Sequence, residues 1–438
     1  MALHISRSRL SGPNPRGSLF SQVWSWFKPW RELDGVLLGT ILTLSGLGIL
    51  TIHSASNPEG LFWVQQLVMV CLSLVPCLCL ARWNYERLLG WHWLVYALTL
   101  AGLVAVMFVG VTAGGAERWI PILGVQVQPS EFAKVGVIIT LAAVLHHWPI
   151  RSFAQLWIPL GVLAPPWVLI FLQPNLGTAL VFLVIVLTMV YWAGAKASWL
   201  ILLCSPVVGA ILYGIQAQTG GGWMLWAWLL WSVGMATLAV FSLSWRWAAP
   251  LIFGVSNLLS GQLGQLGWEF LKPYQRQRLL IFMDPSQDPL GSGYHLIQSR
   301  IAIGAGGLWG QGLRQGTQTQ LDFIPEQHTD FIFSVVGEEL GLVGALLVLG
   351  LLWVACMRLV LVAQNAKDNF GSLIAVGILA MIVFQSVVNI GMTVGLAPIT
   401  GLPLPFLSYG RSALLTNFIA MGLVQSVMVH RFRTSFFT

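Results

Sequence analysis

The stretch GSLIAVGILAMIVFQSVVNIGMTVG, residues 371–395, contains no charged side chain and is long enough to cross a bilayer as a helix. Apolar runs of similar length recur along the 438-residue chain, separated by short polar or Gly/Pro-containing turns. The whole chain is 56% hydrophobic and 8% charged, whereas soluble domains carry roughly 25% charged residues. The sequence therefore predicts an all-α polytopic transmembrane helical bundle.

The apolar pattern predicts twelve membrane spans. Gly and Gln interrupt the apolar run at 247–268, which leaves a count of ten to twelve helices open. The predicted spans are 35–53, 61–81, 90–112, 130–147, 155–172, 176–194, 198–217, 223–243, 247–268, 331–357, 371–395 and 404–429.

The orientation follows from the cations, because short loops rich in Lys and Arg stay in the cytoplasm. Fourteen of the 22 Lys and Arg residues fall on the side of the N-terminus. Both termini are therefore predicted to be cytoplasmic, as tails at 1–33 and 431–438. The net charge of +7 is scattered over loops that flank the predicted spans, so we expect membrane lipids, not nucleic acid, as the anionic partner.

The acidic residues are concentrated in one part of the chain. Eight of the 15 lie between Glu269 and Glu339. This part contains the segment 270–330, which is predicted to lie outside the membrane. Loops of this length are usually either functional or disordered. Its mixture of aromatic, aliphatic and glycine residues argues for order. We expect a long extracytoplasmic loop, partly re-entrant, that builds a site over the membrane.

Two Asp-Pro steps stand inside this loop, in YQRQRLLIFMDPSQDPLGSGYH. Each proline stiffens the backbone, so Asp284 and Asp288 are presented on rigid turns. Turn capping is the alternative role for either carboxylate. The nearby Arg276, Arg278 and Arg300 would suit an anionic substrate such as a phosphate.

A second polar group lies in GGAERWIPILGVQVQPSEFAKVGVII. Ser130 is predicted to be the N-cap of a membrane helix. Glu131 and Lys134, three residues apart, would then share one helical face just inside the membrane. Two roles stay open for this pair, a simple intrahelical ion pair or the lining of a cavity that the substrate reaches.

A third polar group is GLAPITGLPLPFLSYGRSALLTNFIAMG, which places Arg411 at the mouth of a membrane helix. An arginine at that depth needs a partner or water. Glu338 or Glu339 is a candidate partner, and helix capping is the alternative role for these carboxylates. His295 and His328 are candidate polar contacts, although a lone histidine is more often a structural hydrogen bonder.

Five motifs together resemble the RodA/FtsW/SpoVE family, also called SEDS proteins. They are QPSEFAK, QPNLGTAL, YQRQRLLIFMDPSQDPLGSGYHLIQSRIAIGAGGLWGQG, LDFIPEQHTDFIFSVVGEELGLVG and LPLPFLSYG, in the family's order over about 114–430. Within the family, IQSRIAIGAGG and QGTQ are closer to the rod-shape branch than to the division branch. The resemblance implies a peptidoglycan glycosyltransferase of the bacterial plasma membrane. It would polymerise lipid II on the outer face for cell elongation and work with a class B penicillin-binding protein.

The resemblance also implies a catalytic residue, because the family's essential loop aspartate corresponds to Asp288. Glycan extension needs a base for the acceptor hydroxyl and positive charge for the leaving pyrophosphate. A divalent cation, Mg or Mn, held by Asp288 would share the second task, although no metal-ligand spacing assigns a metal site. The substrate-binding candidates are Arg118, Trp119, Glu131, Lys134, Arg276, Arg278, Arg300, His328, Asp330, Ser408 and Arg411.

Three departures from the family pattern stand out. Asn175 replaces the aspartate of QPDLG, and Arg411 replaces a glycine of SYGGS. The Trp- and Gly-rich region 218–268 is predicted to be a two-helix insertion in the ten-helix family fold, within a SEDS-type transmembrane domain at 34–430.

Two other functions stay open from the sequence. A flippase for a lipid-linked precursor would need charged groups along a path through the bilayer and alternating access. A non-catalytic scaffold would only activate a penicillin-binding protein. The clustering of acidic residues on one predicted face favours surface chemistry over transport.

Overall fold

The computed structural model describes residues 32–55, 60–113, 116–122, 125–219, 222–270, 272–283, 292–321, 323–324 and 326–431. The predicted catalytic residue Asp288 and its neighbour Asp284 lie outside these residues.

Helices make up most of the described chain. Ten of them are long and apolar enough to cross a membrane; among the rest, α6 is shorter and α9 is less apolar. The predicted polytopic helical bundle is therefore confirmed. In chain order the helices are α1 (Gly35–Ala55), α2 (Phe62–Arg82), α3 (Arg87–Val109), α4 (Pro129–His147), α5 (Trp157–Leu172), α6 (Leu176–Trp192), α7 (Ala197–Thr219), α8 (Gly222–Ser242), α9 (Ala248–Phe270), α10 (Pro273–Met283), α11 (Ser292–Gly306), α12 (Thr317–Gln320), α13 (Ile332–Glu339), α14 (Gly341–Gln364), α15 (Asn369–Val394) and α16 (Arg411–Val429).

The predicted span 331–357 is not one helix. The chain breaks between α13 and α14, where Gly341 has a φ of +66°. A β-carbon at Gly341 would lie 2.3 Å from the backbone nitrogen of Gly310. Only glycine allows both this conformation and this close approach of a second backbone. The single-span prediction was wrong here because the break depends on a segment distant in sequence.

A small antiparallel sheet joins α3 to α4, and the all-α prediction missed it. Its strands are β1 (Val111–Ala113), β2 (Ala116–Ile122) and β3 (Val125–Val127). Alternating residues around Gly-Gly and Leu-Gly steps, which favour hairpins, were the signal in the sequence. The sheet shifts the start of α4, so Gln128 rather than Ser130 is its N-cap residue.

Two ion pairs mark one end of the bundle, which we call the terminal end. Arg358 Nη2 lies 2.7 Å from Asp34 Oδ2, and Lys367 Nζ lies 2.9 Å from Glu86 Oε1. Ser426, near the end of α16, donates to a backbone carbonyl between α2 and α3 at this same end. The described N- and C-terminal parts of the chain therefore meet at one end of the bundle.

The opposite end, which we call the loop end, carries the described parts of 270–330. The backbone N–H of Arg314 donates to Ser54 Oγ at 2.8 Å, and Gln327 Nε2 donates to the carbonyl of Ala55 at 2.9 Å. Both acceptors lie at the end of α1 that is remote from Asp34. The described parts of this segment contain the helices α10, α11 and α12. Its extracytoplasmic position stays a prediction.

The bundle has a buried centre and a peripheral group of helices. Helices α4, α15 and α16 are buried over most of their length and contact one another. Helices α7, α8 and α9 pack mainly against each other around the buried Asn257, whose Nδ2 donates to Ser205 Oγ at 2.9 Å and whose Oδ1 accepts from Trp231 Nε1 at 3.1 Å. The predicted insertion 218–268 falls on this peripheral group, and its status as an insertion stays a prediction.

The orientation can be tested with single cysteines. We expect Ser286→Cys, in a protein whose five native cysteines are replaced, to react with a membrane-impermeant thiol reagent added to intact cells. Asn365→Cys, in the exposed turn after α14 at the terminal end, should react only after the membrane is made permeable. The reversed pattern of labelling would show that the positive-inside argument fails for this chain.

Candidate functional site

The Glu131–Lys134 pair lies in the first turns of α4, on one face, as the sequence predicted. Lys134 Nζ lies 2.8 Å from Glu131 Oε2, and the two residues are 0% and 3% exposed. The intrahelical ion pair is therefore present, and it is enclosed. Removing one partner would leave an uncompensated charge in a low-dielectric site.

The segment 395–411, between α15 and α16, organises the loop end. Asn389 Nδ2, buried in α15, donates to the carbonyl of Asp330 at 2.9 Å and to a carbonyl within this segment at 2.8 Å. The backbone N–H of Tyr409 donates to the carbonyl of His328 at 2.9 Å. These bonds hold two separate pieces of chain together at the loop end.

Arg278 and Asp330 flank Gly401 in this segment. A β-carbon at Gly401 would lie 3.4 Å from Asp330 Oδ2 and 4.0 Å from Arg278 Nη1. Arg278 Nη1 also donates to the carbonyl of Ile399 at 3.3 Å. Arg278 and Asn175 both line a cavity of about 90 Å³. This volume has room for several water molecules. The guanidinium of Arg278 thus lines a small, mainly apolar cavity, and the carboxylate of Asp330 lies nearby, beside Gly401.

Asn175 is the N-cap residue of α6. Its Oδ1 accepts from the backbone N–H of Thr178 at 3.4 Å. An amide oxygen caps a helix as an aspartate does, so the cap survives this departure from the family pattern. The negative charge of the family's aspartate is lost, because the cavity wall beside Arg278 carries the neutral amide of Asn175.

His295, in α11, packs against an aromatic ring. Its ring is stacked on Phe331 with 6.2 Å between centroids and an interplanar angle of 12°. Burial lowers the pKa of His295, and the charge of Arg278 lowers it further, while Glu326 opposes the shift. The lowered pKa disfavours the charged imidazolium, so His295 is poorly suited to supply positive charge for a phosphate.

Arg411 is the first residue of α16, and its partners are not the carboxylates that we expected. Its Nε donates to Tyr409 Oη at 3.1 Å and its Nη2 donates to Gln65 Oε1 at 2.7 Å. The prediction of Glu338 or Glu339 as its partner was wrong. Both glutamates point into a different part of the loop end.

Glu338 caps a helix, as the alternative prediction stated. The helix that it caps is α12. Its Oε1 accepts from the backbone N–H of Gln318 at 2.8 Å, and its Oε2 accepts from that of Thr319 at 3.0 Å. Glu339 Oε1 accepts from the backbone N–H of Arg314 at 3.3 Å, and burial raises the pKa of Glu339. These two carboxylates hold the 310–320 segment against α13.

We expect Glu338→Ala to destabilise the protein by about 3 kcal/mol, because it leaves buried backbone donors without acceptors. Glu338→Gln should cost less, since its amide oxygen replaces one acceptor. The measurement is the thermal unfolding midpoint in detergent. Glu326→Ala, which removes an exposed carboxylate, is the control. Equal midpoints for Glu338→Ala and the control would contradict the capping role.

The remaining candidates are dispersed. Arg276 Nη2 donates to the carbonyl of Glu269 at the end of α9, away from the cavity beside Arg278. Arg300 is exposed and packs against Gly395 at the end of α15. Trp119 is half-buried on β2, and the side chain of Arg118 lies outside the described ones. The candidates that the structure gathers at the loop end are Arg278, His328, Asp330, Ser408 and Arg411.

Sequence reasoning missed Gln65, Gln66 and Asn389, which connect these candidates. Gln66 Nε2 donates to the carbonyl of Ser408 at 3.1 Å, beside the contact of Gln65 with Arg411. The signal was present, since amides inside apolar spans need partners. The partners of the two glutamines are 342 and 346 positions away, and those of Asn389 are 13 and 59 positions away. The amides alone could not identify them.

A metal site receives no support from the residues that the structure describes. They contain no group of three or more His, Cys, Asp or Glu side chains that could hold a metal ion. Asp288, the residue proposed to share a cation, is outside them.

The comparisons with known proteins cover almost the whole chain. The family described as "Cell cycle protein" (FtsW/RodA/SpoVE) matches residues 33–220 and 221–433. The peptidoglycan glycosyltransferase RodA of Treponema pallidum is 36% identical over 90% of this chain and 97% of its own length. The peptidoglycan glycosyltransferase MrdB of Escherichia coli is 35% identical over 91% and 94%.

A solved structure agrees with this sequence similarity. It is described as "Structural coordination of polymerization and crosslinking by a peptidoglycan synthase complex". One chain of it superposes with a TM-score of 0.69 at 30% identity, covering 92% of this chain and 99% of that one. The family match, the relatives and the shared fold show that this chain belongs to the FtsW/RodA/SpoVE family.

Proposed function

We propose that this chain is a peptidoglycan glycosyltransferase that polymerises lipid II for cell elongation. Relatives that it matches over at least 90% of its length carry the name peptidoglycan glycosyltransferase. The predicted orientation puts the reaction on the outer face of the bacterial plasma membrane.

The observation that carries the proposal is the set of polar side chains gathered at the loop end. Arg278 donates to the carbonyl of Ile399 in the 395–411 segment, and Asp330 lies beside Gly401 of the same segment. Arg411, the last residue of the segment, adds a second positive charge at the loop end. A lipid-linked pyrophosphate needs donors at such a membrane boundary, since its charge increases as the glycosidic bond to the lipid breaks.

The reaction divides between a base and a set of cations. We assign the base to Asp288, which would take the proton from the acceptor hydroxyl; this rests on the family motif in DPLGSGYH. We assign Arg278 to the leaving pyrophosphate. Lys134 is a buried charge balanced by Glu131. Pyrophosphate leaves without protonation, so a second carboxylate acting as acid is not required.

The flippase alternative is less well supported. Transport would require charged or polar groups along a path between the two faces. Among the described residues, the ion pairs lie near the two ends of the bundle: Glu131–Lys134 towards the loop end and the other two at the terminal end. The gathering of charge at the ends supports chemistry at the membrane surface.

A class B penicillin-binding protein is the partner that we propose. The similar solved structure belongs to a complex described as coordinating polymerization with crosslinking. A transpeptidase partner would cross-link the strand that this chain extends. The scaffold alternative differs in one respect, because it assigns polymerisation to the partner.

The deciding experiment uses the purified chain alone with lipid II in detergent, where there are no membrane sides. We expect polymeric glycan on a gel. A flippase would yield no polymer under these conditions. A scaffold would yield polymer only after a penicillin-binding protein is added. Either of these results would remove the glycosyltransferase assignment.

A further inference from the structure

A cavity of about 470 Å³ lies at the terminal end of the bundle, where three helices meet. It is lined by the residues that lead into α1, by one residue of α14 and by the end of α16. Its charged lining consists of Glu32, Asp34, Arg358 and Arg431. None of the candidates for polymerisation lines this cavity, so it is a separate feature of the molecule.

Asp34 fixes the wall of the cavity. Its backbone N–H donates to Gln425 Oε1 at 2.8 Å, and its carbonyl accepts from Gln425 Nε2 at 3.1 Å, so the start of α1 is held against α16. Its Oδ1 accepts from the backbone N–H of Leu37 at 3.0 Å, and its Oδ2 accepts from Arg358 Nε at 2.7 Å. The three helices are therefore joined by bonds within the chain, and the cavity between them is preformed.

Hydrogen-bond donors for an anion line this cavity. Arg358 directs Nε and Nη2 to Asp34, and its Nη1 makes no hydrogen bond within the described residues. The backbone N–H groups of Gly35 and Val36, in the first turn of α1, make none within the described part of the chain either. Free N–H groups and the positive end of a helix dipole favour a phosphate. Arg431 adds a second guanidinium to the lining.

The charges of the lining are balanced. Arg358 is paired with the buried carboxylate of Asp34, which leaves the cation of Arg431 and the exposed carboxylate of Glu32. A ligand that carries only negative charge would be repelled by Glu32. A ligand with both a phosphate and an ammonium group has a partner of opposite charge for each of them. The lining therefore favours a zwitterion over a simple anion.

An exposed stripe on α1 leads away from the cavity along the membrane span. Val36, which lines the cavity, is 54% exposed. The exposed residues Gly39, Thr43, Gly46 and Leu50 follow it on the same face of the helix. Thr43 Oγ1 donates to the carbonyl of Gly39, so its hydroxyl is satisfied within the helix. The stripe accommodates an acyl chain, which a lipid has and a free phosphate lacks.

We propose that this cavity binds the headgroup of an aminophospholipid, of the phosphatidylethanolamine type, from the leaflet at the terminal end. The phosphate takes the donors of Arg358, Arg431 and the first turn of α1, and the ammonium group pairs with Glu32. Basic pockets between membrane helices on the cytoplasmic side bind phospholipid headgroups. The proposal goes beyond the glycosyltransferase function and does not depend on it, because this lipid is not a reactant at the loop end.

The test is native mass spectrometry of the purified full-length chain with equal amounts of phosphatidylethanolamine and phosphatidylglycerol. We expect the ethanolamine lipid to predominate in the first adduct of the wild type. Arg431→Gln should weaken the binding of both lipids about fivefold, because it removes one cation from the phosphate. Glu32→Gln should weaken only the ethanolamine lipid, by a similar factor of about five, and so remove the preference.

Arg246→Gln is the matched control, because it removes an exposed guanidinium at the same end of the bundle but outside the cavity. It should leave both adducts unchanged. The thermal unfolding midpoint of each variant without lipid shows that the fold is intact. Should Arg431→Gln lower that midpoint, the preference lost in Glu32→Gln still tests the site. Equal losses in Arg431→Gln and Arg246→Gln would show unspecific attraction and overturn the proposal.

Other occupants of the cavity give different results. Inorganic phosphate at the same concentration as the lipid should not displace the adduct, and displacement would show a simple anion site. The full-length chain carries residues 1–31, so a cavity filled by that segment would give no adduct that responds to Arg431→Gln. Either of these results, or a wild type without preference for the ethanolamine lipid, would overturn the proposal.

Discussion

Asp288→Asn is expected to abolish measurable glycan polymerisation, a loss of roughly 10²–10⁴-fold. The amide keeps the size and shape of the side chain but does not accept the proton of the acceptor hydroxyl. The measurement is polymer formation from lipid II by the purified variant, at equal amounts of protein in the membrane fraction.

Asp284→Asn is the matched control for this experiment, because it changes the same group in a neighbouring Asp-Pro step. We expect a milder loss for it, since the family motif coincides with Asp288. Both variants should express and insert as the wild type does. Activity of Asp288→Asn close to that of the wild type would remove this residue as the base.

Exchange of the charges of Glu131 and Lys134 is the second change with a large expected effect. Because both residues are buried, reversing either charge alone should cost about 3–5 kcal/mol and reduce the amount of folded protein. The double variant, Glu131→Lys with Lys134→Glu, restores an ion pair. It should fold, with a penalty of about 0.3–1 kcal/mol for a cation at the N-terminus of α4.

We expect the folded double variant to be inactive. The exchange moves the positive charge by about 4.5 Å along the helix and places a carboxylate at its former position. Under the proposed function, that charge balance lies beneath an anionic pyrophosphate. Thermal unfolding in detergent and polymer formation are measured on the same preparation. Recovered polymerisation in the double variant would assign the pair to a purely structural role.

Much of the candidate site could be predicted because its residues stand in local motifs. The spacing of Glu131 and Lys134 by three positions determines their shared helical face, whatever else the chain does. Arg411 was predicted near the mouth of a membrane helix, inside the span 404–429, and α16 begins at Arg411, seven residues after the predicted start. The partners of these residues could be predicted only when they were near in sequence.

The prediction for Arg411 failed where the partner was remote. Glu338 or Glu339 was the predicted partner, yet Arg411 bonds to Gln65, 346 positions away. Glu338 instead meets backbone donors of α12. A choice between two partners depends on distances in the folded bundle, and composition carries no information on those distances.

The sequence by itself determined the class of the molecule, the positions of its long helices and the family. Each of these depends on local properties, since hydrocarbon requires about 20 consecutive apolar residues with all backbone hydrogen bonds made within the helix. The tertiary structure alone decided the break at Gly341, the enclosure of the Glu131–Lys134 pair and the contact of Arg411 with Gln65. These features arise from close contacts between segments far apart in the chain, and such contacts exist only after the helices have packed.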